Sequence, residues 1–322
     1  MKILFCREGL RVIGELLQQE LPEDEILECG PQRLAAAAAD ADVLIPTITP
    51  LSAEILTATK ARLVQQFGAG LDPVDVPAAT ANGVYVANVP AAGTGNAESV
   101  AEVALLHMLT LARKFPATQQ SIRERRVATP IGRSLKGKTV AVVGYGGIGR
   151  EMARRLAGFE MRVLAVSRRG PKSDPEEMAI PVAHHYPEDG LHAALREADF
   201  VVLAPPLNDA TRGLIGAAEF ACLKPSAYVI NVARGGVIDY QALLDALREG
   251  RIAGAGLDVF WEEPVDPEDP IFAYNVIGTP HIGGATDLGL RGIARKVAEN
   301  IERLRRGELP LNCVNPEAAR VS

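Results

Sequence analysis

Along the first 95 residues, short apolar runs of strand length alternate with stretches whose apolar positions recur at helical spacing. Lys2–Cys6, Glu25–Cys29, Asp42–Ile45, Arg62–Phe67 and Val84–Val89 read as strands. Leu10–Glu20, Pro31–Asp40 and Ser52–Thr59 read as helices between them. The run Ala35–Ala39 is low in complexity but strongly helix-favouring, and reads as ordinary helix. The rhythm returns later, with strands expected over Thr139–Val143, Met161–Val166, Phe200–Ala204, Ala227–Val232, Ile252–Asp258 and Val276–Gly278. Such alternation predicts parallel sheets covered by helices. Between the two halves, Asn96–Arg113 predicts a helix that is apolar over much of its surface, suited to burial between domains or subunits. His107 within it reads as a packed or interface histidine rather than a catalytic one. A last helix, Ala285–Arg306, is too long to serve only the final strand–helix unit, and is expected to cross back to the first domain.

The glycine turn after Val143 is the first candidate for chemistry. Gly144-Tyr145-Gly146-Gly147-Ile148-Gly149 follows a β-branched strand and opens a helix with Met152, Ala153 and Leu156 on its apolar face. Gly144 permits the tight turn, Gly146 lets backbone approach a pyrophosphate, and Gly149 lets the helix pack closely on the strand. The helix N-terminus offers N–H groups and the positive end of its dipole to phosphate. Both flanks and the following strand agree with a dinucleotide site, which sets this turn apart from a plain strand–helix connection.

Three polar residues stand just after three successive strands of the second half: Arg234, Glu263 and His281. Parallel strands place their carboxyl ends on one edge, so the three can converge beside a dinucleotide. An arginine fork grips a carboxylate at two points. A histidine can supply a proton as hydride arrives, and a carboxylate beside it orients and charges that histidine. In the first half, Phe67-Gly68-Ala69-Gly70-Leu71-Asp72 interrupts the rhythm at a strand's carboxyl end. It reads equally as a backbone cradle for a carboxylate and as a simple tight turn.

Composition narrows the function classes. A net charge of −6 in 322 residues disfavours nonspecific nucleic-acid or anionic-membrane binding. No apolar run reaches transmembrane length, and the N-terminal stretch is too short for a signal peptide. Cys6, Cys29, Cys222 and Cys313 are scattered without C-x-x-C spacing, and His184, His185 and His192 lie in a polar stretch around a turn with no ligand pattern beside them. No metal site is expected, and a cytoplasmic location is the default. Arg123, Arg125 and Arg126 read as a solvated face.

Taken in order, Gly68–Asp72, Asn96–Glu102, Gly144–Gly149, Asn231–Gly235, Gly256–Phe260 with Glu263-Pro264, and Thr279–Gly283 make the chain resemble the D-isomer-specific 2-hydroxyacid dehydrogenase family over nearly its whole length. The resemblance implies Arg234 for the substrate carboxylate and carbonyl, His281 as acid/base and Glu263 as its partner. It also implies backbone of Ala69 and Gly70 at the substrate carboxylate, and Asp258 at the nicotinamide carboxamide. Further cofactor contacts would come from Gly147, Ile148, Pro206, Thr211, Val232 with its neighbour Ala233, and the Gly283-Gly284 turn. Two departures stand out. Where relatives using NAD carry an acidic residue at the end of the second strand, this chain has Ser167 followed by Arg168 and Arg169. Where the family often has histidine, it has Ala204.

These readings combine into an α/β protein of two doubly wound parallel-sheet domains, Rossmann- and flavodoxin-like, with the active site in a cleft between them. The dinucleotide-binding domain is expected over residues 99–285, and a discontinuous substrate domain over 1–98 with 286–322. The expected activity is reduction of a small 2-oxo acid of glyoxylate or hydroxypyruvate type to the D-2-hydroxy acid, with NADPH preferred over NADH, in a homodimer. The alternatives are phosphoglycerate dehydrogenase, disfavoured because the chain ends soon after the return helix, and a non-catalytic dinucleotide-sensing protein resembling corepressors of this fold, disfavoured by the Arg234, Glu263 and His281 set.

Overall fold

The structure is a computed structural model that describes residues 1–168 and 178–318. The chain divides into two compact units, one of Met1–Asn96 with Thr286–Ser322 and one of Ala97–Ala285.

The first unit is built on five parallel strands, β1 (Lys2–Phe5), β2 (Glu25–Glu28), β3 (Val43–Ile45), β4 (Leu63–Gln65) and β5 (Tyr85–Ala87), in the order β2-β1-β3-β4-β5. Its central strands read as unbroken apolar runs because both faces are covered. Ile3, Phe5, Val43 and Ile45 pack under Ile293, Val297, Ile301 and Leu304 of the helix Asp287–Arg305. Leu4, Leu44, Val64 and Val86 face Leu34, Leu56 and Ala79 on the other side. The helix Asp287–Arg305 therefore belongs to this sheet although it follows the second unit in sequence. Thr286 caps it by accepting from the Gly289 N–H at 3.0 Å. Gly292 has to be glycine, since a Cβ there would lie 1.9 Å from the Thr94 carbonyl oxygen. Near its other end, Arg305 Nη2 lies 2.6 Å from both oxygens of the buried Asp24 carboxylate.

The second unit carries seven parallel strands: β6 (Thr139–Val143), β7 (Arg162–Val166), β8 (His184–Tyr186), β9 (Phe200–Leu203), β10 (Tyr228–Asn231), β11 (Gly254–Leu257) and β12 (Val276–Gly278). Their order is β12-β11-β10-β9-β6-β7-β8, with every neighbouring pair parallel. The order reverses between β6 and β9, the topological switch point at which doubly wound sheets bind ligands. One face of the sheet buries Ala141, Leu164, Val201 and Val229 against the helices Leu191–Glu197, Ala217–Cys222 and Tyr240–Arg248. The other buries Val140, Val142, Phe200, Val202 and Ile230 against the helices Asn96–Ala112 and Gly147–Ala157.

Several elements differ from the sequence reading. The apolar helix Asn96–Ala112 directs Val100, Ala101, Ala104, Met108 and Leu111 into the core of the second unit, and this accounts for most of its hydrophobicity. His184 and His185 lie in strand β8 rather than in a turn. The strand was hidden because it is an edge strand paired only with β7, so polar side chains are tolerated on it. A helix over Phe115–Arg123 carries Arg123 in its last turn, and Arg125 and Arg126 follow it on an exposed segment. No helix is long and apolar enough to cross a membrane among the described residues.

Candidate active site

The glycine turn sits at the switch point. Gly144 adopts φ +92°, and a Cβ on it would lie 2.5 Å from Pro205 N, so the turn after β6 is pressed against the loop after β9. A Cβ on Gly149 would come within 2.2 Å of the Gly144 carbonyl oxygen, which is the close helix–strand packing the motif needs. Gly146 differs: a Cβ there meets nothing within 4 Å, and the residue is exposed. The space beside Gly146, at the N-terminus of the helix Gly147–Ala157, is therefore open for a pyrophosphate to approach the backbone of Gly146, Gly147 and Ile148. Tyr145 is buried with its ring edge-on to His185, ring centres 5.0 Å apart.

The neighbouring loops lie at the same sheet edge. The Gly144 N–H donates to the Val166 carbonyl at 2.9 Å, which ties the glycine turn to the end of β7. Ser167 follows at once, its N–H bonded to the Tyr186 carbonyl of β8, and Arg168 next to it is exposed. Arg169 lies outside the described residues. After β9, the Thr211 hydroxyl donates to the Pro206 carbonyl at 2.6 Å and shapes that loop. Val232 and Ala233 are buried immediately after β10.

Arg234, Glu263 and His281 follow the carboxyl ends of β10, β11 and β12, three adjacent strands. Asn231, wholly buried at the end of β10, sets the first of these loops. Its Oδ1 accepts from Ala233 N at 3.0 Å and its Nδ2 donates to the Arg234 carbonyl at 2.9 Å. Gly235 is packed so closely on the backbone of Phe260 that a Cβ would lie 2.1 Å from the Phe260 carbonyl carbon, which brings the Arg234 loop against the Glu263 loop. The Arg234 Nη1 donates to the Ala233 carbonyl at 2.8 Å. Glu263 Oε1 accepts from Phe260 N at 3.0 Å, and its Oε2 lies 2.7 Å from His281 Nδ1. Burial works to raise the Glu263 carboxyl pKa. The hydrogen bond and charge of His281, the Phe260 N–H and the charge of Arg234 outweigh it and hold the carboxyl below its ordinary range. With Nδ1 committed to the carboxylate, Nε2 is the ring atom able to exchange a proton with a substrate oxygen.

His281 is one of the few non-glycine residues with positive φ, at 54°. Asp258 holds it there. The Asp258 carbonyl accepts from His281 N at 2.8 Å, its Oδ1 from Ile282 N at 2.9 Å and its Oδ2 from Gly283 N at 2.9 Å. The Thr279 hydroxyl adds a donation to Oδ1 at 2.7 Å. Three successive N–H groups thus converge on one buried aspartate, and a Cβ on Gly283 would meet its Oδ2 at 2.8 Å. The sequence reading gave Asp258 only a cofactor contact. That Asn231, Asp258 and Thr279 hold the loops is not apparent from the sequence reading, although a polar residue closes an apolar strand in each case. Gly284 continues the same turn.

In the first unit, Gly68 at φ +139° opens the loop after β4. Gln66 Nε2 donates to the carbonyls of Thr47 at 2.8 Å and Gly70 at 2.6 Å, while Asn88 Nδ2 donates to the Ala69 carbonyl at 2.7 Å. The loop is therefore braced in one shape, more than a simple turn needs. Among the described residues, no group of three or more His, Cys, Asp or Glu side chains is placed to hold a metal ion.

A glycine cradle at the switch point and a histidine–carboxylate pair on the same sheet edge define a nicotinamide-dinucleotide oxidoreductase. Residues 105–283 match the family pattern of the D-isomer specific 2-hydroxyacid dehydrogenase, NAD binding domain. The chain is 36% identical over 324 residues to a glyoxylate reductase of Pyrococcus furiosus, covering 97% of this chain and 94% of that one. It is also 36% identical over 318 residues to a D-3-phosphoglycerate dehydrogenase of Methanocaldococcus jannaschii, of which it spans 57%. An NADPH-dependent glyoxylate/hydroxypyruvate reductase from Sinorhizobium meliloti, solved with NADP and malonate, superposes with a TM-score of 0.83 at 29% identity, covering 99% of this chain and 98% of that one. The chain belongs to the D-isomer-specific 2-hydroxyacid dehydrogenase family.

Proposed function

We propose that this enzyme reduces a small 2-oxo acid, of glyoxylate or hydroxypyruvate type, to the D-2-hydroxy acid, with NADPH preferred over NADH. The observation that carries the reading is the 2.7 Å contact between His281 Nδ1 and Glu263 Oε2, beside the Arg234 loop. Bound dihydronicotinamide supplies the hydride. In this reading Arg234 grips the substrate carboxylate and polarises its carbonyl, with the N–H groups of Ala69 and Gly70 completing the carboxylate's partners. His281, oriented by Glu263, delivers a proton from Nε2 to the carbonyl oxygen as negative charge grows on it. Gly144, Tyr145, Gly146, Gly147, Ile148 and Gly149 hold the pyrophosphate side of the dinucleotide, and Pro206, Thr211, Val232, Ala233, Asp258, Gly283 and Gly284 line the rest. Its roles are distributed over residues 99–285 for the dinucleotide and over 1–98 with 286–322 for the substrate.

The preference for NADPH rests on Ser167. A carboxylate there would bind the ribose hydroxyls and repel a 2′-phosphate, whereas serine keeps a small hydroxyl and removes the repulsion, and Arg168 and Arg169 can bring positive charge. We also propose a homodimer, supported by Leu106, Leu109, Phe115 and Ile122, which stand exposed on the helices Asn96–Ala112 and Phe115–Arg123. A panel of glyoxylate, hydroxypyruvate, pyruvate, 3-phosphohydroxypyruvate and bulkier 2-oxo acids, each with NADPH and NADH, tests the assignment. Turnover confined to 3-phosphohydroxypyruvate would replace it with phosphoglycerate dehydrogenase.

A further inference from the structure

His107, on the helix Asn96–Ala112, is wholly buried and points at the floor of the His281 loop. Its Nε2 lies 2.9 Å from the Thr279 hydroxyl, which lies 2.7 Å from Asp258 Oδ1. The direction of this chain follows from chemistry. A carboxylate only accepts, so the Thr279 hydroxyl gives its single proton to Asp258, and its lone pair must then accept from His107. His107 is therefore the Nε2–H tautomer. Its Nδ1, bare and buried, has no hydrogen-bond partner among the described residues. The ring fits only because position 256 of β11 is glycine, where a Cβ would lie 2.6 Å from Nδ1. Burial depresses the His107 pKa, opposed by the charge of Asp258, in keeping with a neutral ring. A leucine at this place would fill the core without an unmet polar atom, so packing alone does not account for histidine here.

We propose that His107 is a positioning residue of the reduction: it orients the Thr279 hydroxyl onto Asp258, and so fixes the carboxylate that receives the Ile282 and Gly283 N–H groups and holds His281 in its left-handed conformation. The proposal rests on the reading of His281 as the proton donor, but the relay itself is measurable without substrate.

The experiment compares His107→Leu, His107→Gln and His107→Asn. Gln carries an N–H to the place of Nε2, whereas Asn reaches only the place of Nδ1. Amide hydrogen exchange at Ile282 and Gly283, followed by NMR, reads the loop, and steady-state kinetics with NADPH and glyoxylate read its use. In His107→Leu, exchange at both amides should quicken and kcat should fall, each by about tenfold, the worth of one intramolecular hydrogen bond. Tm should not drop. Gln should restore both readouts and Asn neither. Thr279→Val against Thr279→Ser repeats the test from the other end of the relay should His107→Leu fail to fold. Wild-type exchange and kcat in His107→Leu, or equal rescue by Gln and Asn, would overturn the proposal. If the wild type turned over no 2-oxo acid, the reading of the site would fail, while the exchange data would still decide the relay.

Discussion

His281 Nδ1 and Glu263 Oε2 lie 2.7 Å apart, and the same carboxylate is anchored at its other oxygen by the Phe260 N–H. The carboxylate cannot turn away without giving up a backbone donor, so the imidazole is held in one orientation with Nε2 outward.

Replacing Glu263 by Gln keeps the shape and removes the charge. The rate of 2-oxo acid reduction should then fall, and its dependence on the ionisation of that carboxyl in acid should disappear. A pH–rate profile of kcat/KM checks this, and superimposable profiles would sink the pairing.

The same carboxyl links the site to stability. Its pKa in the fold is lowered from an ordinary 4.5, so the unfolded state binds its proton more readily as pH falls. The stability that wild type gains from ionised Glu263 is fully present above pH 4.5 and is lost as pH drops through the lowered value. Thermal melts should show wild type above Glu263→Gln at pH 7, with the gap closing in acid. A gap that widens below pH 4.5 would contradict the pair's sign.

The proposed preference for NADPH rests on the end of β7. Charged hydrogen bonds contribute about 1.5–3 kcal/mol each, and discounted for the exposure of Arg168 they correspond to roughly a 10–10²-fold preference for NADPH. Arg168→Ala should raise the KM for NADPH and leave that for NADH unchanged, and Ser167→Asp should reverse the preference. Wild-type efficiency with NADH equal to or above that with NADPH would remove the phosphate site from this loop.

Assembly is tested on the exposed apolar side chains. Light scattering at micromolar concentration should give twice the chain mass, and Ile122→Asp, at a side chain 69% exposed, should shift it toward monomer without lowering Tm. A wild type that is monomeric throughout would defeat the dimer.

The strands and the chemistry-bearing loops were legible because apolar runs ending in Gly144, Arg234 and His281 carry both signals in one stretch. The strand ends were read one or two residues long, as at Arg62–Phe67 against the observed Leu63–Gln65, because apolar side chains continue past the last ladder hydrogen bond. Strand β8 was not legible, since an edge strand of His184, His185 and Tyr186 has no apolar pattern to betray it. The helix Val76–Ala81 was missed for its short length, although Asp75 caps it by accepting from Ala78 N at 2.9 Å. The contact of His107 with Thr279 was hidden for another reason. Its partner Thr279 lies 172 residues away, and only the packing of a helix under β11 and β12 brings them together. Sequence spacing reports what one element can present, and such long-range pairs fall outside it.

In the proposed mechanism His281 delivers the proton in 2-oxo acid reduction. That role is tested most directly by measuring kcat for His281→Ala and wild type with glyoxylate and NADPH, alongside the dissociation constant for NADPH. In His281→Ala kcat should fall by about 10²–10⁴-fold, the usual consequence of losing a general acid, with dinucleotide affinity unchanged. A variant that keeps wild-type kcat, or one whose lost rate is matched by lost NADPH binding, would contradict it.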